Sequence, residues 1–446
     1  MRRRSELDAS PPIHREMGDS LDRTVFHKSL PVLAARVPSP KAGILLKSEA
    51  LRQCIMNLPK IRSVLQDPSG SKDARLVLFR VTDEADLPSE AQRFLREQSA
   101  DLMIYTLNLN YDYWTADEIL HAVLPEELCN GAPTGFAVTG HIAHLNLNDE
   151  YLPYKHLIGQ IVLDKNKAVR TVVNKLDSID TKFRFFKMEL LAGDPDYVVE
   201  HHESNCRFVF DFTKVYWNSR LHTEHDRLVQ LFKPEDVVAD VFAGVGPFAV
   251  PAGKKGCAVL ANDLNPDSYL YLKKNIKLNH VLSVVRPFCE DGRDFIKSVM
   301  HRAAQEPFPP YRDPKELKSR GQLKPSPTQA PALPPRELIS HFVMNLPDSA
   351  IEFLDAFRGI LSESDGEEKR NLGGIYNVMP MIHCHCFTRE LERDVAERNI
   401  RARVEEKLGY NLTSDDEVSL HLVRSVAPNK EMYCISFRLP RAVAYA

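Results

Sequence analysis

The stretch DVFAGVGPFAVPAGKKGCAVLANDLNP, residues 240–266, decides how the C-terminal half of this chain folds. It overlaps DVVADVFAG, residues 236–244, a continuous apolar run that ends in a glycine loop. Such a run reads as a buried parallel strand, because a strand covered on both faces has no need of polar alternation. CAVLAND, from Cys257, reads as a second strand of the same kind. Between the two, Gly244-x-Gly246-x-x-Ala249 allows a tight turn at the mouth of a sheet, with a helix N-terminus behind it. Asp263 stands nineteen residues past Gly244. That spacing fits the dinucleotide fingerprint, in which an acid about 20 residues downstream reads a ribose.

Working outward, YLYLKKNIKLN reads as a helix, SVVRPFCEDG as a third strand, HFVMNLP as a fourth and GIYNVMPMIHCHCF as a fifth. RDVAERNIRARVEEKLG is a helix, and SLHLVRSVAPNKEMYCISFRL a terminal hairpin. Upstream, RFVFDFTKVYW is a strand pair and TEHDRLVQLF a helix. Strands alternating with helices predict an α/β doubly wound fold over residues 206–446, closed by an antiparallel hairpin. Residues 302–337 interrupt the order with a proline-rich segment that neither helix nor strand interiors tolerate. They read as a mostly disordered insertion between the third and fourth strands.

Two smaller α/β domains precede this unit. Residues 1–20 read as a disordered start. Residues 21–111 form an N-terminal domain with DARLVLFRV as a strand, and residues 112–205 a middle module. In the latter, ADEILHAVLP suggests a short helix, and GFAVTGHIAHLNL and VRTVVNKL carry the alternation and β-branched residues of strands.

With 446 residues there is room for two or three domains. The net charge of −3 does not by itself announce a nucleic-acid partner, so any basic surface must be local. The 8 cysteines show no zinc-type pairing and read as reduced thiols of an intracellular protein. No apolar run is long enough to span a membrane. MRRRSELDAS lacks the apolar core of a secretory signal, and Glu6 and Asp8 suit a transit peptide poorly.

Asp240 separates the ligand classes open to the glycine loop. A carboxylate ending the first strand would repel a pyrophosphate, by about 1 kcal/mol or more in a partly buried site. It suits S-adenosylmethionine (SAM), which carries an ammonium and a sulfonium. Pro247 also removes an amide an anion-binding loop would use. Asp263 ends the second strand, where it can accept ribose hydroxyls, and Asp291 the third, within reach of an adenine amino group. Asn345 and Pro347 end the fourth, beside the methyl. Ligands of open α/β sheets bind outside the carboxyl ends of the strands, so these positions describe one site. Metal ligation is not expected: His141 and His144, and the HCHC of residues 383–386, lack further ligands, and the cysteines of the latter read as core.

KVYWNSRLHTEHDRL, DVFAGVGPFA, NDLNP, MNLP and VRSVAPNKEMYCISF resemble the tRNA (guanine-N1)-methyltransferases of eukaryotes and archaea, as do GHIAHLNLNDEYLPYKHLIGQIVLDKN and VVNKLDSIDTKFRFFKMELLAG. The likeness covers residues 20–446 apart from the proline-rich insertion. It implies a Rossmann-like SAM-dependent methyltransferase fold that methylates N1 of guanosine 37 beside the anticodon, which is also a first step towards wybutosine in phenylalanine tRNA. It further implies a monomer that grips the anticodon stem-loop and the outer corner of tRNA, distributed among cytoplasm, nucleus and mitochondrial matrix. By the same resemblance Glu224 is the general base, effective if burial raises its pKa. Arg184 is the cation beside O6, Asn345 orients the base, and His225 lies near the cofactor. Asp240, Gly244, Gly246, Asp263, Leu264, Asp291, Gly292, Asn345 and Pro347 complete the SAM-binding set. Ser219 stands where the family commonly has proline, which predicts a looser turn before Glu224. Read without the family, Thr223-x-x-Asp226 would make Glu224 a first-turn acid of a capping-box helix. Two alternatives share most of these features: a wybutosine-pathway aminocarboxypropyltransferase, and an inactive tRNA-binding subunit.

Overall fold

The computed structural model of the chain describes residues 7–179, 186–312, 333–362, 372, 374 and 376–446. It divides into two compact units. One comprises Met1–Val138, Ile142–Lys175 and Glu189–Pro195; the other comprises Thr139–His141, Leu176–Met188 and Asp196–Ala446.

In the first unit, β1 (His27–Pro38), β2 (Val64–Gln66), β3 (Ala74–Leu78) and β4 (Asp101–Asn110) form a sheet of order β2-β3-β1-β4, with helices α1 (Ser39–Lys47) and α2 (Ser89–Glu97). Next come α3 (Ala116–Val123), whose start carries a full capping box of Thr115 and Glu118, and the short α4 (Glu126–Cys129). β5 (Ala137–Thr139), β6 (Ile142–Leu145), α5 (Lys155–Lys165), β7 (Thr171–Ile179) and β8 (Phe186–Gly193) follow, and their strands make a second sheet of order β5-β6-β7-β8.

Two sequence readings change here. Where composition suggests a boundary near residue 111, one apolar core crosses it: Leu30 and Leu107 of the first sheet pack with Trp114, Ile119, Ile158 and Val172. A strand as amphipathic as β4 buries its apolar face against whichever apolar surface lies nearest, and that surface is α3 and α5. The second concerns residues 7–20, read from sequence as disordered. Leu7 and Met17 pack on this core, Trp114 donates from Nε1 to the Ala9 carbonyl at 2.8 Å, and Lys28 pairs with Asp8 at 2.8 Å.

The second unit opens with a ribbon of β9 (Val198–Glu203) and β10 (Cys206–Asp211). After α6 (His222–Leu231) come β11 (Val237–Asp240), α7 (Ala249–Lys255), β12 (Ala258–Asn262), α8 (Pro266–Leu278), β13 (Val285–Phe288) and α9 (Gly292–Gln305). β14 (Ile339–Met344), β15 (Met381–Thr388), α10 (Arg393–Leu408), β16 (Ser419–Ala427), β17 (Lys430–Arg438) and α11 (Arg441–Ala444) complete it. The seven-stranded sheet runs β13-β12-β11-β14-β15-β17-β16. Its first five strands pair in parallel, and β17 joins antiparallel on both sides. This is the doubly wound sheet with a closing hairpin that the alternation of elements implies.

On β15 the side chains alternate between the faces. Cys384 and Cys386 enter the core with Phe295 of α9 and Ile400 of α10. His383 and His385 point to the other face, where the ring of Phe232 lies 6.1 Å from that of His383. The proline-rich insertion is pinned at its base: Phe308 and Arg336 exchange backbone hydrogen bonds, and Arg336 Nη1 donates to the carbonyls of Pro234 and Gly256. Its first residues, Arg302–Gln305, belong to α9 instead. Among the described residues no helix is long and apolar enough to cross a membrane.

Candidate active site at the carboxyl edge of the parallel sheet

Parallel pairing in register brings four strand ends to one edge. Asp240, the last residue of β11, lies opposite Ala261 of β12 and Val343 of β14. The loop after β11 then turns at Gly244 (φ +55°) and Gly246 (φ +101°), conformations that L-residues seldom adopt. At Gly246 a Cβ would also fall 2.8 Å from Val250 Cγ2 and 2.9 Å from Leu272 Cδ1, so the loop must press directly onto α7 and α8.

Asp263, just past β12, fastens this loop. One of its carboxylate oxygens accepts from the Gly244 amide at 2.8 Å and the other from the Asn265 amide at 2.9 Å. With Ser268 as a third donor, three of the four acceptor positions are taken, and the fourth can still accept a ribose hydroxyl. Burial raises the Asp263 carboxyl to about 6, against the hydrogen bonds from Asn265, Gly244 and Ser268. Leu264 beside it is exposed.

Asp291 follows β13 as the exposed N-cap of α9, where it accepts from the Arg293 amide at 2.8 Å, and Gly292 behind it is buried. Asn345 and Pro347 follow β14; the Asn345 Oδ1 is buried without a hydrogen-bond partner, and the Pro347 carbonyl accepts from Phe387. Asn262, absent from the sequence-based set, ties two of these loops together. Its Nδ2 donates to the carbonyls of Val241 and Glu290, and its Oδ1 accepts from the Glu290 amide. It is the first residue of the NDLNP stretch, in which the sequence singles out only Asp263 and Leu264.

Asp240 is fully buried, and neither carboxylate oxygen finds a hydrogen-bond partner. Burial pushes its carboxyl up to about 8, neighbouring Asp263 adds to this, and His385 with the Phe242 amide offsets only part. A buried, unpaired carboxylate is costly unless a cation meets it. The ammonium of SAM fits that requirement and a pyrophosphate does not.

Glu224 stands in the first turn of α6 and is 3% exposed. The capping-box alternative fails: α6 starts at His222 without a side-chain cap, and Asp226 accepts from Ser204 instead. The turn ahead of Glu224 holds without proline, because Asn218 Oδ1 accepts from the Arg220 amide and a 3-10 turn covers Ser219–Leu221. Trp217, stacked on Phe210 at 4.8 Å, anchors the same approach.

Arg227 grips Glu224 with both arms of its guanidinium, at 2.6 and 2.7 Å, and His385 Nε2 donates to the same carboxylate at 2.7 Å. This corrects the expected direction of the pKa. Burial alone would raise the Glu224 carboxyl, but Arg227 and His385 outweigh it and hold the group at about 2. The resting carboxylate is therefore ionised throughout the neutral range, rather than an acid poised near neutrality. His385 was not legible as a site residue because it lies 161 residues from Glu224 in sequence, and Arg227, three residues on, was not singled out.

His225 is buried. Its Nδ1 meets Glu203 at 2.5 Å, and its ring sits edge-on to Phe248 at 4.8 Å. Arg184 lies outside the described residues. One group of ligand-type atoms does gather among the described residues: Glu224, His385 and Cys434 lie within 4.8 Å of one another. Arg227 already occupies both Glu224 oxygens, so the charge beside that carboxylate is a guanidinium.

Comparison with known proteins agrees with this layout. Residues 199–304 match the family model described as the TRM5/TYW2 methyltransferase domain, and residues 116–196 match the TYW2 N-terminal domain. The chain is 60% identical to a tRNA (guanine(37)-N(1))-methyltransferase of Coprinopsis cinerea, with 98% of each chain covered. It is 44% identical to the protein of that name from Saccharomyces cerevisiae, covering 97% of this chain and 95% of the relative. In fold it resembles Trm5b from Pyrococcus abyssi, with a TM-score of 0.56 at 23% identity over 91% of this chain and 98% of the other. It also resembles the aTrm5 chain solved in complex with tRNALeu, with a TM-score of 0.59 at 20% identity over 92% and 100% of the two chains. With this fold and full-length likeness to those relatives, the chain belongs to the tRNA (guanine(37)-N(1))-methyltransferase family.

Proposed function

We propose that this protein transfers a methyl group from SAM to N1 of guanosine 37 in tRNA. The observation that carries the reading is a buried, ionised carboxylate, Glu224, in the unit whose sheet edge also holds the unpaired carboxylate Asp240. Asp240, Gly244, Gly246, Asp263, Asp291 and Pro347 would hold SAM, which when bound supplies an electrophilic methyl group on a sulfonium.

Guanine N1 keeps its proton at neutral pH and is a poor nucleophile until a base removes it. Glu224 accepts that proton and becomes neutral, and the electron pair released on N1 is the nucleophile. Asn345, with its unpartnered Oδ1, accepts a hydrogen bond from the base and holds N1 in line. Arg184 supports the negative charge that builds on O6, as the family resemblance implies. The protein acts as a monomer on the anticodon stem-loop and outer corner of the tRNA.

The match of residues 116–196 to the TYW2 N-terminal domain favours a second reading, transfer of the aminocarboxypropyl group of SAM. Mass spectrometry of the product nucleoside separates the two.

The decisive test is Glu224→Gln under single-turnover conditions, with tRNA transcript and SAM. Methyl transfer is expected to fall ~10²–10⁴-fold, with affinity for both substrates nearly unchanged. A near-normal rate would reduce Glu224 to a structural residue.

A further inference from the structure

Glu224 has more partners than a base ordinarily keeps. A carboxylate offers two acceptor positions on each oxygen. Arg227 Nη2 and His385 Nε2 both donate to Oε1, at 2.7 Å each, so that oxygen is filled. Oε2 takes only the Arg227 Nε, at 2.6 Å. The next group facing Oε2 is His421 of β16, whose Nε2 lies 3.7 Å away, beyond hydrogen-bond reach, and whose side chain is about half exposed. The open acceptor position is thus on the oxygen nearest the half-exposed His421.

The arrangement is also poorly explained as packing. His385 is fully buried, and its Nδ1 has no hydrogen-bond partner. Cys434 of β17, within the 4.8 Å cluster, acts on this histidine together with Glu224, and His385 in turn acts on Asp240 of β11. An apolar residue would fill the same space on β15 without leaving a buried nitrogen unpaired. What His385 adds is a donor aimed at one oxygen of Glu224.

We propose that Arg227 and His385 are the positioning residues of the base: they occupy three of its four acceptor positions and present Oε2 alone to the guanine N1 proton. This rests on the reading of Glu224 as the base. The proton moves from N1 to Oε2, and the clamp itself neither gains nor loses one. Its work is to keep Glu224 ionised where burial would otherwise neutralise it, which makes the base available well below neutral pH.

The test is single-turnover methyl transfer by the full chain from pH 5.5 to 9. The wild-type protein is expected to show no titration of Glu224 in that range. In His385→Phe or Arg227→Met, burial takes over and the Glu224 midpoint moves up towards neutrality. The rate should then fall about tenfold per pH unit below the new midpoint and recover to within about threefold of wild type at the alkaline end. His385→Gln places an amide N–H near the position of Nε2 and should restore the wild-type profile.

A merely structural role predicts otherwise: one constant factor at every pH, unrelieved in His385→Gln. That result overturns the proposal. If His385→Phe does not give a wild-type near-ultraviolet circular dichroism spectrum, Arg227→Met reads the same acid limb. Glu224→Gln run in parallel separates the two failures. A fast Glu224→Gln removes the base and with it the clamp. A slow, pH-insensitive Glu224→Gln beside clamp variants that overlay the wild type removes the clamp alone.

Discussion

Asp240→Asn is the sharpest test of the SAM site, because the structure predicts two opposite effects from one atom exchange. The Asp240 carboxyl sits at about 8 against an ordinary 3.8. At pH 7 only about one molecule in ten carries the charge that an ammonium needs. Apparent affinity scales with that fraction, so the wild-type Kd should tighten about 25-fold between pH 6.5 and 8.5 and then level off. Binding at pH 7 should release about 0.9 of a proton, measurable by calorimetry in buffers of different ionisation enthalpy.

S-adenosylhomocysteine is the better ligand for this experiment. It keeps the ammonium, and ligand titration cancels against the variant. Asp240→Asn should lose the pH dependence and bind ~10–100-fold more weakly at pH 8.5, the worth of a charge-assisted hydrogen bond.

Stability should move the other way. The folded protein holds the Asp240 proton more tightly than the unfolded chain. Ligand-free stability therefore falls as pH rises from about 4 to about 8, and the neutral amide abolishes that loss. The variant should melt a few degrees higher than the wild type at pH 8, and no higher at pH 4. A Kd that is flat with pH in the wild type, or a variant no more stable at pH 8, would refute the assignment of Asp240 as the buried partner of a cation.

Two further expectations follow from geometry. Gly246→Ala places a Cβ 2.8 Å from Val250 Cγ2 in a left-handed turn, and should cost ~1–3 kcal/mol in urea unfolding while weakening SAM binding. Deleting residues 1–20 removes the Ala9 carbonyl from Trp114 and the Asp8 carboxylate from Lys28. It should lower the melting temperature by several degrees, whereas loss of a disordered tail would leave it unchanged.

Much of this protein is local, and what is local could be read directly. The apolar run into Gly244, the acids at 240 and 263 and the NLP at 345–347 each belong to one strand and the turn that follows it. Period, glycine and spacing were enough to align them along one sheet edge. The HCHC of β15 gave up half its meaning in the same way. A period of two sends Cys384 and Cys386 into the core and the two histidines to the other face.

What those histidines meet was beyond sequence, because strand pairing sets it. His385 reaches Glu224 across 161 residues, so the ionisation of this carboxylate differs from the one expected. The sequence shows a helix-start acid; its burial comes from the structure, and burial alone would raise a carboxyl. Only tertiary contact supplies the guanidinium and imidazole that reverse the sign. The same holds at the N-terminus, where Leu7, Met17 and Ala9 look like tail residues until Trp114 and its core are folded beside them. Local chemistry thus placed the acids and glycines at the strand ends, and long-range packing decided the partners and the charge they have there.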